Sequence, residues 1–314
     1  LIGPVRWMAG KDLSHEENMF DAGKDMGLKR YFRYTTDHKV VGIQYLVVTM
    51  AIFGIAGVMA MMIRTNLANP GGGLLNPQAY NSLVGTHGIM MIVGAIIMVT
   101  GPFGNYIMPI MIGARDMAFP RLNALSLWLI VAAAVPLIWG QFIGGISTGW
   151  VAYNPLAGQA PLGMNGYIMF ICIFALSTMV AGSNITTTVI KMRAKGMTWN
   201  RTPIFIHGVV ASVALALPAF PTFFLSQVMS GMDRALGTSF YVPKDGGSGW
   251  LYEHLFWLMG HPEVYVILIP AVAALMEMAP VFTRRPLYSF TVAVVGIAGI
   301  AGLSVLVWAH HMYM

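Results

Sequence analysis

Charge is scarce in this chain. Of its 314 residues, 10% are charged and 57% hydrophobic, against about 25% charged in a soluble domain. That shortage excludes a water-soluble globular protein. Acid is scarcer than base, with 12 Asp and Glu against 18 Lys and Arg. The surplus bases sit in loops beside apolar runs, so the net charge of +6 reads as membrane topology and not as a nucleic-acid footprint. Cysteine is almost absent. Cys172 stands alone inside an apolar run, which excludes an intrachain disulfide and any CxxC or thiolate-cluster site. Internal repeats, low-complexity segments and a second domain are also missing. The 25 methionines scatter without a repeated MxxM spacing and read as packing in membrane helices.

What the chain does have is long apolar runs, near 40–63, 83–112, 122–144, 164–190, 203–232, 250–280 and 287–312. About 20 apolar residues cross a bilayer, so these runs predict an all-α, polytopic bundle of about seven transmembrane helices over 40–314. Residues 1–39 are polar and mixed in charge, without the apolar core of a signal peptide, and read as an aqueous arm. Within the arm, Ser14-His15-Glu16-Glu17 looks like a helix start and not a metal site. Bases cluster on alternate loops: Lys29, Arg30, Arg33 and Lys39, then Arg115 and Arg121, then Lys191, Arg193, Lys195 and Arg201, then Arg284 and Arg285. The intervening loops are poorer in base. The alternation predicts a cytoplasmic N-terminus.

Hydrocarbon penalises every ionisable group it holds. The run 250–280 nevertheless contains His261-Pro262-Glu263-Val264-Tyr265, and the last run ends in the adjacent pair His310-His311. At about 1.5 Å per helical residue, His261, the pair and His87 all fall in the outer half of the membrane. One membrane histidine is often only a hydrogen-bonded interior residue. An adjacent pair plus a third imidazole at similar depth predicts a metal site. Neutral imidazoles without clustered carboxylates or thiolates favour copper or iron, with zinc open from ligand type alone. His261 and Tyr265 are four apart and share a helix face, where a phenol beside a metal-bound imidazole can donate a proton and an electron. Glu263 points elsewhere. It is the lone acid at mid-depth, and burial favours its protonated form, which suits a proton carrier. Pro262 frees a backbone carbonyl nearby.

These residues, with Thr36-Asp37-His38-Lys39, Gly104-Asn105, the stretch from Met111 through Arg115-Asp116-Met117 to Asn123, Thr148-Gly149-Trp150, Asn184, Met192 to Met197, Asp233-Arg234 and His254-Leu255-Phe256-Trp257, stand in the order and near the spacing of a known family. From about Thr35 onward the chain resembles subunit I of the heme-copper oxygen reductases, A-type branch. The resemblance implies that His261, His310 and His311 bind copper B and that Tyr265 is the tyrosine the family links to the copper histidine. His87 would be an axial ligand of the low-spin heme, with Trp257 packed beside the copper. Asp116 would open a proton pathway from the inner side, kept ionised by Arg115 and Arg121. Asn105, Asn123 and Asn184 would order its water, with Ser177 and Thr178 as further candidates, and Glu263 would stand at its top.

The family continues for several more helices. They carry the high-spin heme ligand, the second low-spin heme ligand, the heme-propionate arginines and a lysine of a second proton pathway. The sequence ends at Met314, before any of these, which implies an incomplete or a split subunit. The activity implied is that of a terminal oxidase: O2 reduced to water at a heme-copper centre, coupled to proton pumping. Cofactors would be a low-spin and a high-spin heme, with heme a expected, and copper B. Partners would be a copper-bearing subunit II, subunit III, cytochrome c, O2 and the bilayer, with no nucleic acid. Bacterial or archaeal plasma membrane is favoured over the mitochondrial inner membrane. Quinol oxidases resembling this family place a His and a Gln where this chain has Ala79 and Ser82, which favours cytochrome c as donor over quinol. A nitric oxide reductase of the same architecture would be expected to lack Tyr265 and the pathway residues. A proton or metal transporter, the alternative from another class, explains Glu263 but not the His pair with Tyr265.

Overall fold

The computed structural model describes residues 8–9, 24–69 and 73–313; the arm's His15 segment lies outside them. Six helices are long and apolar enough to cross a membrane. They are α1 (His38–Leu67), α2 (Pro77–Met111), α3 (Pro120–Phe142), α4 (Gly163–Lys191), α5 (Ile204–Leu236) and α6 (Gly249–Thr283). A shorter apolar helix, α7 (Phe290–Ser304), follows. No strand occurs among the described residues. The all-α transmembrane bundle expected from the apolar runs is what forms.

Local chemistry sets the helix starts. Asp37 caps α1, its carboxylate accepting from Lys39 N at 2.8 Å and Val40 N at 3.2 Å. Asn76 caps α2 through Ala79 N, with Pro77 at the first helical position. Within α2 the stretch Val99–Ile107 is wound as a π-helix around Pro102. The proline removes a ladder donor and the helix absorbs the loss by widening.

The expected seventh span is shorter than the apolar run 287–312. Helix α7 has 15 residues, about 22 Å of rise, less than the roughly 30 Å hydrocarbon core. Ser304 Oγ donates back to Ala301 O at 2.7 Å, in competition with the helical ladder. The β-branched Val305 and Val307 add little helix propensity. The chain therefore leaves the helix and tightens into a short turn, Trp308–His311, which carries the histidine pair.

Neighbouring helices pack in chain order: α1 on α2, α3 on α4, α4 on α5, α5 on α6, with α7 against α5 and α6. Small residues permit the closest crossings. A Cβ at Gly166 would collide with Pro136 O of α3, and one at Gly208 with Ala273 of α6. Large apolar side chains such as Met50, Val58, Met61, Val292 and Val295 lie exposed, as lipid-facing residues do. The interior, by contrast, holds Thr49, Asn105, Asn123, Asn184, Gln227 and Glu263. Polar groups inside a membrane bundle are costly unless they are partnered or serve a path for ions or protons.

Candidate metal centre

Helix α6 holds His261 buried, and the turn after α7 brings His311, half-buried, and His310, exposed, against it. One ligand atom from each of the three imidazoles lies within 4.8 Å of the others. His261 Nδ1 is 3.1 Å from His311 Nε2. The ring centroids of His261 and His310 are 4.6 Å apart, and those of His310 and His311 4.0 Å apart. His310 Nδ1 is committed to Val307 O, which leaves Nε2 for a ligand. His261 Nε2 is buried with no hydrogen-bond partner. Tyr265, one turn along α6, puts its ring 4.9 Å from that of His261. Three convergent imidazoles with no carboxylate or thiolate among them form a nitrogen donor set suited to copper.

Trp257 supports the cluster from above. Its ring stacks on His311 with centroids 3.9 Å apart and planes 3° from parallel. Its Nε1 donates to Tyr153 Oη at 2.8 Å. Glu263 sits between His261 and Tyr265 in sequence but points away from both, as a two-residue offset on a helix requires. Its side chain is 5% exposed, and no hydrogen bond or ion pair to its carboxyl is present among the described residues.

A narrow interior cavity of about 20 Å³ lies among the helices, lined by Tyr45, Thr100, Gly101, Ser177, Thr178 and Ser212 with apolar neighbours. That volume accepts about one water. Ser177 Oγ donates to Ser126 O at 2.6 Å, and Thr178 Oγ1 to Phe174 O at 3.1 Å. Tyr45 Oη and Ser126 Oγ are 2.7 Å apart, and Ser126 Oγ donates to Asn123 O at 2.8 Å. Tyr45 and Ser126 were not singled out from the sequence. Ser126 lies one turn beyond Asn123 on the same face, and that spacing was the available signal.

The three asparagines differ. Asn123 is fully buried, and neither its Nδ2 nor its Oδ1 has a partner. Asn105 donates to Gly101 O at 2.8 Å but leaves Oδ1 unpartnered. Asn184 has both groups engaged on one residue: Oδ1 accepts from Phe119 N at 2.9 Å and Nδ2 donates to Phe119 O at 3.1 Å. His38, expected at the inner interface, is buried, with Nδ1 2.7 Å from Asn105 O in the π-wound stretch.

Asp116 lies in the loop between α2 and α3, on a cavity of about 540 Å³ whose rim includes Arg115, Arg193 and Lys195. Its carboxylate accepts from Met117 N at 2.6 Å. Burial pushes its pKa up from 3.8 to about 7; nearby Asp37 adds to the rise, while the Met117 hydrogen bond and Lys39 oppose it. The expectation that Arg115 and Arg121 keep it ionised is therefore corrected. Desolvation outweighs the neighbouring bases, and both protonation states are populated near neutrality.

His87, on α2, is half-buried, and its Nδ1 lies 2.9 Å from Ala56 O of α1. A ring held this way carries its proton on Nδ1 and leaves the lone pair of Nε2 for another partner. His207 and His254 are engaged elsewhere, His207 Nε2 with Trp199 O at 3.1 Å and His254 Nδ1 with Trp308 Nε1 at 3.2 Å.

A membrane bundle that brings three imidazoles together, with a tyrosine beside them and an interior carboxyl, defines a class of membrane protein built to hold a metal. Residues 40–314 match the family model described as Cytochrome C and Quinol oxidase polypeptide I, and the chain belongs to that family. It is 38% identical over 285 residues to cytochrome c oxidase subunit 1 of Thermostichus vulcanus, covering 90% of this chain and 52% of that protein. The corresponding Bacillus subtilis protein is 39% identical over 281 residues, 89% of this chain and 45% of that one. A putative cytochrome c oxidase subunit 1-beta of Streptomyces coelicolor is 41% identical over 286 residues, 89% and 49%. The chain thus spans about half the length of the curated relatives it matches.

Proposed function

We propose that this chain forms the copper-bearing half of the catalytic subunit of a terminal respiratory oxidase, which reduces O2 to water and couples that reaction to proton translocation. The observation that carries the reading is the convergence of His261, His310 and His311 within 4.8 Å, with the Tyr265 ring 4.9 Å from His261. A transporter needs the buried acid but not a tyrosine packed on a metal-binding imidazole.

His261, His310 and His311 would hold copper B, and His87 Nε2 the low-spin heme iron. Copper and heme supply the one-electron steps. The chain's own residues supply protons and exclude water. Tyr265 holds a phenolic proton beside His261. Glu263 is the interior carboxyl that takes a proton arriving from the inner side and releases it toward the centre. Asp116, Asn105, Asn123, Asn184, Ser177 and Thr178 mark the route to it, with water in the gaps between their polar groups. Asp116 receives the proton at the inner face, and the positive-inside count supports a cytoplasmic side for that face. Subunits II and III and a second, high-spin heme complete the assembly.

Cytochrome c, through subunit II, is the donor we favour over quinol. A cavity of about 330 Å³ does open beside Ala79 and Ser82. Its polar groups are already engaged: Ser82 Oγ donates to Gln141 Oε1 at 2.7 Å and accepts from Ile146 N at 3.0 Å, and Gln78 Nε2 donates to Gly144 O at 3.2 Å. A quinol head group would find few free partners there.

The test is Glu263→Gln in the intact, purified complex. The substitution keeps size and hydrogen bonding but removes the titrating proton. Copper and heme content should match the parent, and O2 uptake on reduced cytochrome c should fall by roughly 100-fold or more, the scale of a lost proton-transfer group. Near-parent O2 uptake would make Glu263 structural. A heme- and copper-loaded parent that consumes no O2 with cytochrome c or quinol would overturn the oxidase reading itself.

A further inference from the structure

In the last turn of α5, Arg234 directs its whole guanidinium at the loop between α3 and α4. Nε donates to Asn165 Oδ1 at 2.7 Å. Nη1 donates to the carbonyls of Ala157 at 2.6 Å, Gly158 at 3.1 Å and Ala160 at 3.0 Å. Nη2 donates to Pro161 O at 3.1 Å. Its neighbour Asp233 orders the next loop, accepting from Thr238 Oγ1 at 2.7 Å and from the amides of Phe240 and Tyr241, each at 2.9 Å. One planar cation thus gathers four carbonyls of a single turn. Bonds from a charged donor are about twice as strong as neutral ones. A lysine, with one nitrogen and no fork, cannot replace this geometry.

The loop so gathered reaches the metal centre at Tyr153. Tyr252 Oη donates to Val151 O at 2.6 Å and the Asn154 side chain donates to Ser230 Oγ at 3.2 Å, so the residues flanking Tyr153 are tied to α6 and α5, while Ala157 N donates to Tyr153 O at 2.8 Å and ties it to the clamped turn. Tyr153 Oη then accepts from Trp257 Nε1 at 2.8 Å. The Trp257 ring lies flat on His311. The contacts run without a gap from Arg234 through the loop and Tyr153 to Trp257 and a metal-ligand imidazole.

We propose that Arg234 is a positioning residue for the metal centre. By fixing the 157–161 turn it holds Tyr153 against Trp257, and so sets the plane of the indole on which His311 rests. The effect on turnover rests on the oxidase reading above; the effect on the indole does not.

The experiment uses the intact oxidase carrying Arg234→Lys, Tyr153→Phe or both. Ultraviolet resonance Raman reads the indole N–H hydrogen-bond band of Trp257, isolated by subtracting the Trp257→Phe spectrum. Steady-state kinetics gives kcat and KM for reduced cytochrome c. Arg234→Lys should shift the indole band toward a weaker hydrogen bond and lower kcat several-fold with KM unchanged. Tyr153→Phe should abolish the bonded band. The double variant should be no slower than Tyr153→Phe alone, because the two residues act in series. If Arg234→Lys loosens the loop in amide hydrogen exchange yet leaves both the band and kcat unaltered, the clamp is structural only and the proposal is overturned. If Arg234→Lys does not assemble, Tyr153→Phe decides: an unchanged kcat leaves Arg234 nothing to act through and overturns it equally. A parent without oxidase activity would remove the kinetic arm and the proposed function together, while the indole band would still report on the clamp.

Discussion

Trp257 lies flat on His311, with ring centroids 3.9 Å apart and planes 3° from parallel. The indole therefore does more than fill space beside the histidines. It restricts the rotation of an imidazole carried by a single short 3-10 turn, Trp308–His311, beyond the end of α7. An aromatic stack is worth about 0.5–1.5 kcal/mol beyond area burial, roughly 2- to 10-fold in an equilibrium constant. Trp257→Leu should weaken copper retention against a chelator by that factor, and Trp257→Phe, which keeps a ring, by less. Equal retention in parent and Trp257→Leu would show that His311 is oriented without the stack.

The three histidines themselves make a sharper case. If the three imidazoles form the proposed copper site, none can be lost without weakening the metal's hold. His261→Ala, His310→Ala and His311→Ala should each lose most of the copper relative to heme iron by elemental analysis, while the heme that we propose His87 holds should stay. A variant with parent-like copper content would remove that histidine from the site. Tyr265→Phe is the control, since it should keep the copper.

The spans and the histidine cluster could be read in advance because both are one-dimensional signals. The length of an apolar run counts residues across a bilayer, and ionisable residues inside such a run are conspicuous. Asp116, Asn184 and the end of α7 could not be read this way. Whether Asp116 is ionised depends on how much protein covers it, and the sequence showed only the nearby bases Arg115 and Arg121. Asn184 spends its amide on Phe119, a residue 65 positions away, which no local pattern announces. The apolar run after Leu287 continues past Ser304, but the helix does not, because a hydroxyl and two β-branched valines compete with the ladder. The stack of Trp257 on His311 likewise needed the fold to bring α6 and the turn after α7 together.

Asp116 also carries a pH dependence whose sign follows from burial. Burial pushes the pKa of its carboxyl up from 3.8 to about 7 in the folded protein. Between those values the folded state holds a proton that the unfolded state has released, so this group's contribution lowers stability as pH rises, with the full cost reached above the folded pKa. Asp116→Asn removes the titration. The thermal midpoint of the variant should climb above the parent's as pH rises from about 5 to about 8, at a fixed scan rate. Melting curves that keep a constant offset across that range, or a parent that gains on the variant at high pH, would place Asp116 in a more solvated setting than its cover suggests.

Asn123 and Asn184 are the same residue type, both fully buried, and they should fail in opposite ways when replaced. Asn123 has no partner at Nδ2 or Oδ1. A buried amide left bare costs about 1–3 kcal/mol, so water is expected against it, and that water lies on the proposed proton route. Asn184 has its amide closed on the backbone of Phe119, just before α3 begins. Asn123→Val removes two unmet hydrogen-bonding groups and expels their water. It should leave the thermal midpoint level or raised while slowing proton uptake by about tenfold or more, the scale of a broken proton-transfer step. Asn184→Val instead strands the N–H of Phe119 and leaves its C=O with the Asn123 N–H alone, and should destabilise the bundle by about 1–3 kcal/mol. Thermal midpoints and proton uptake, followed with a pH-indicator dye on the two assembled variants, separate the roles. If Asn123→Val melts low and takes up protons at the parent rate, its amide is a structural bond and the proton route runs elsewhere.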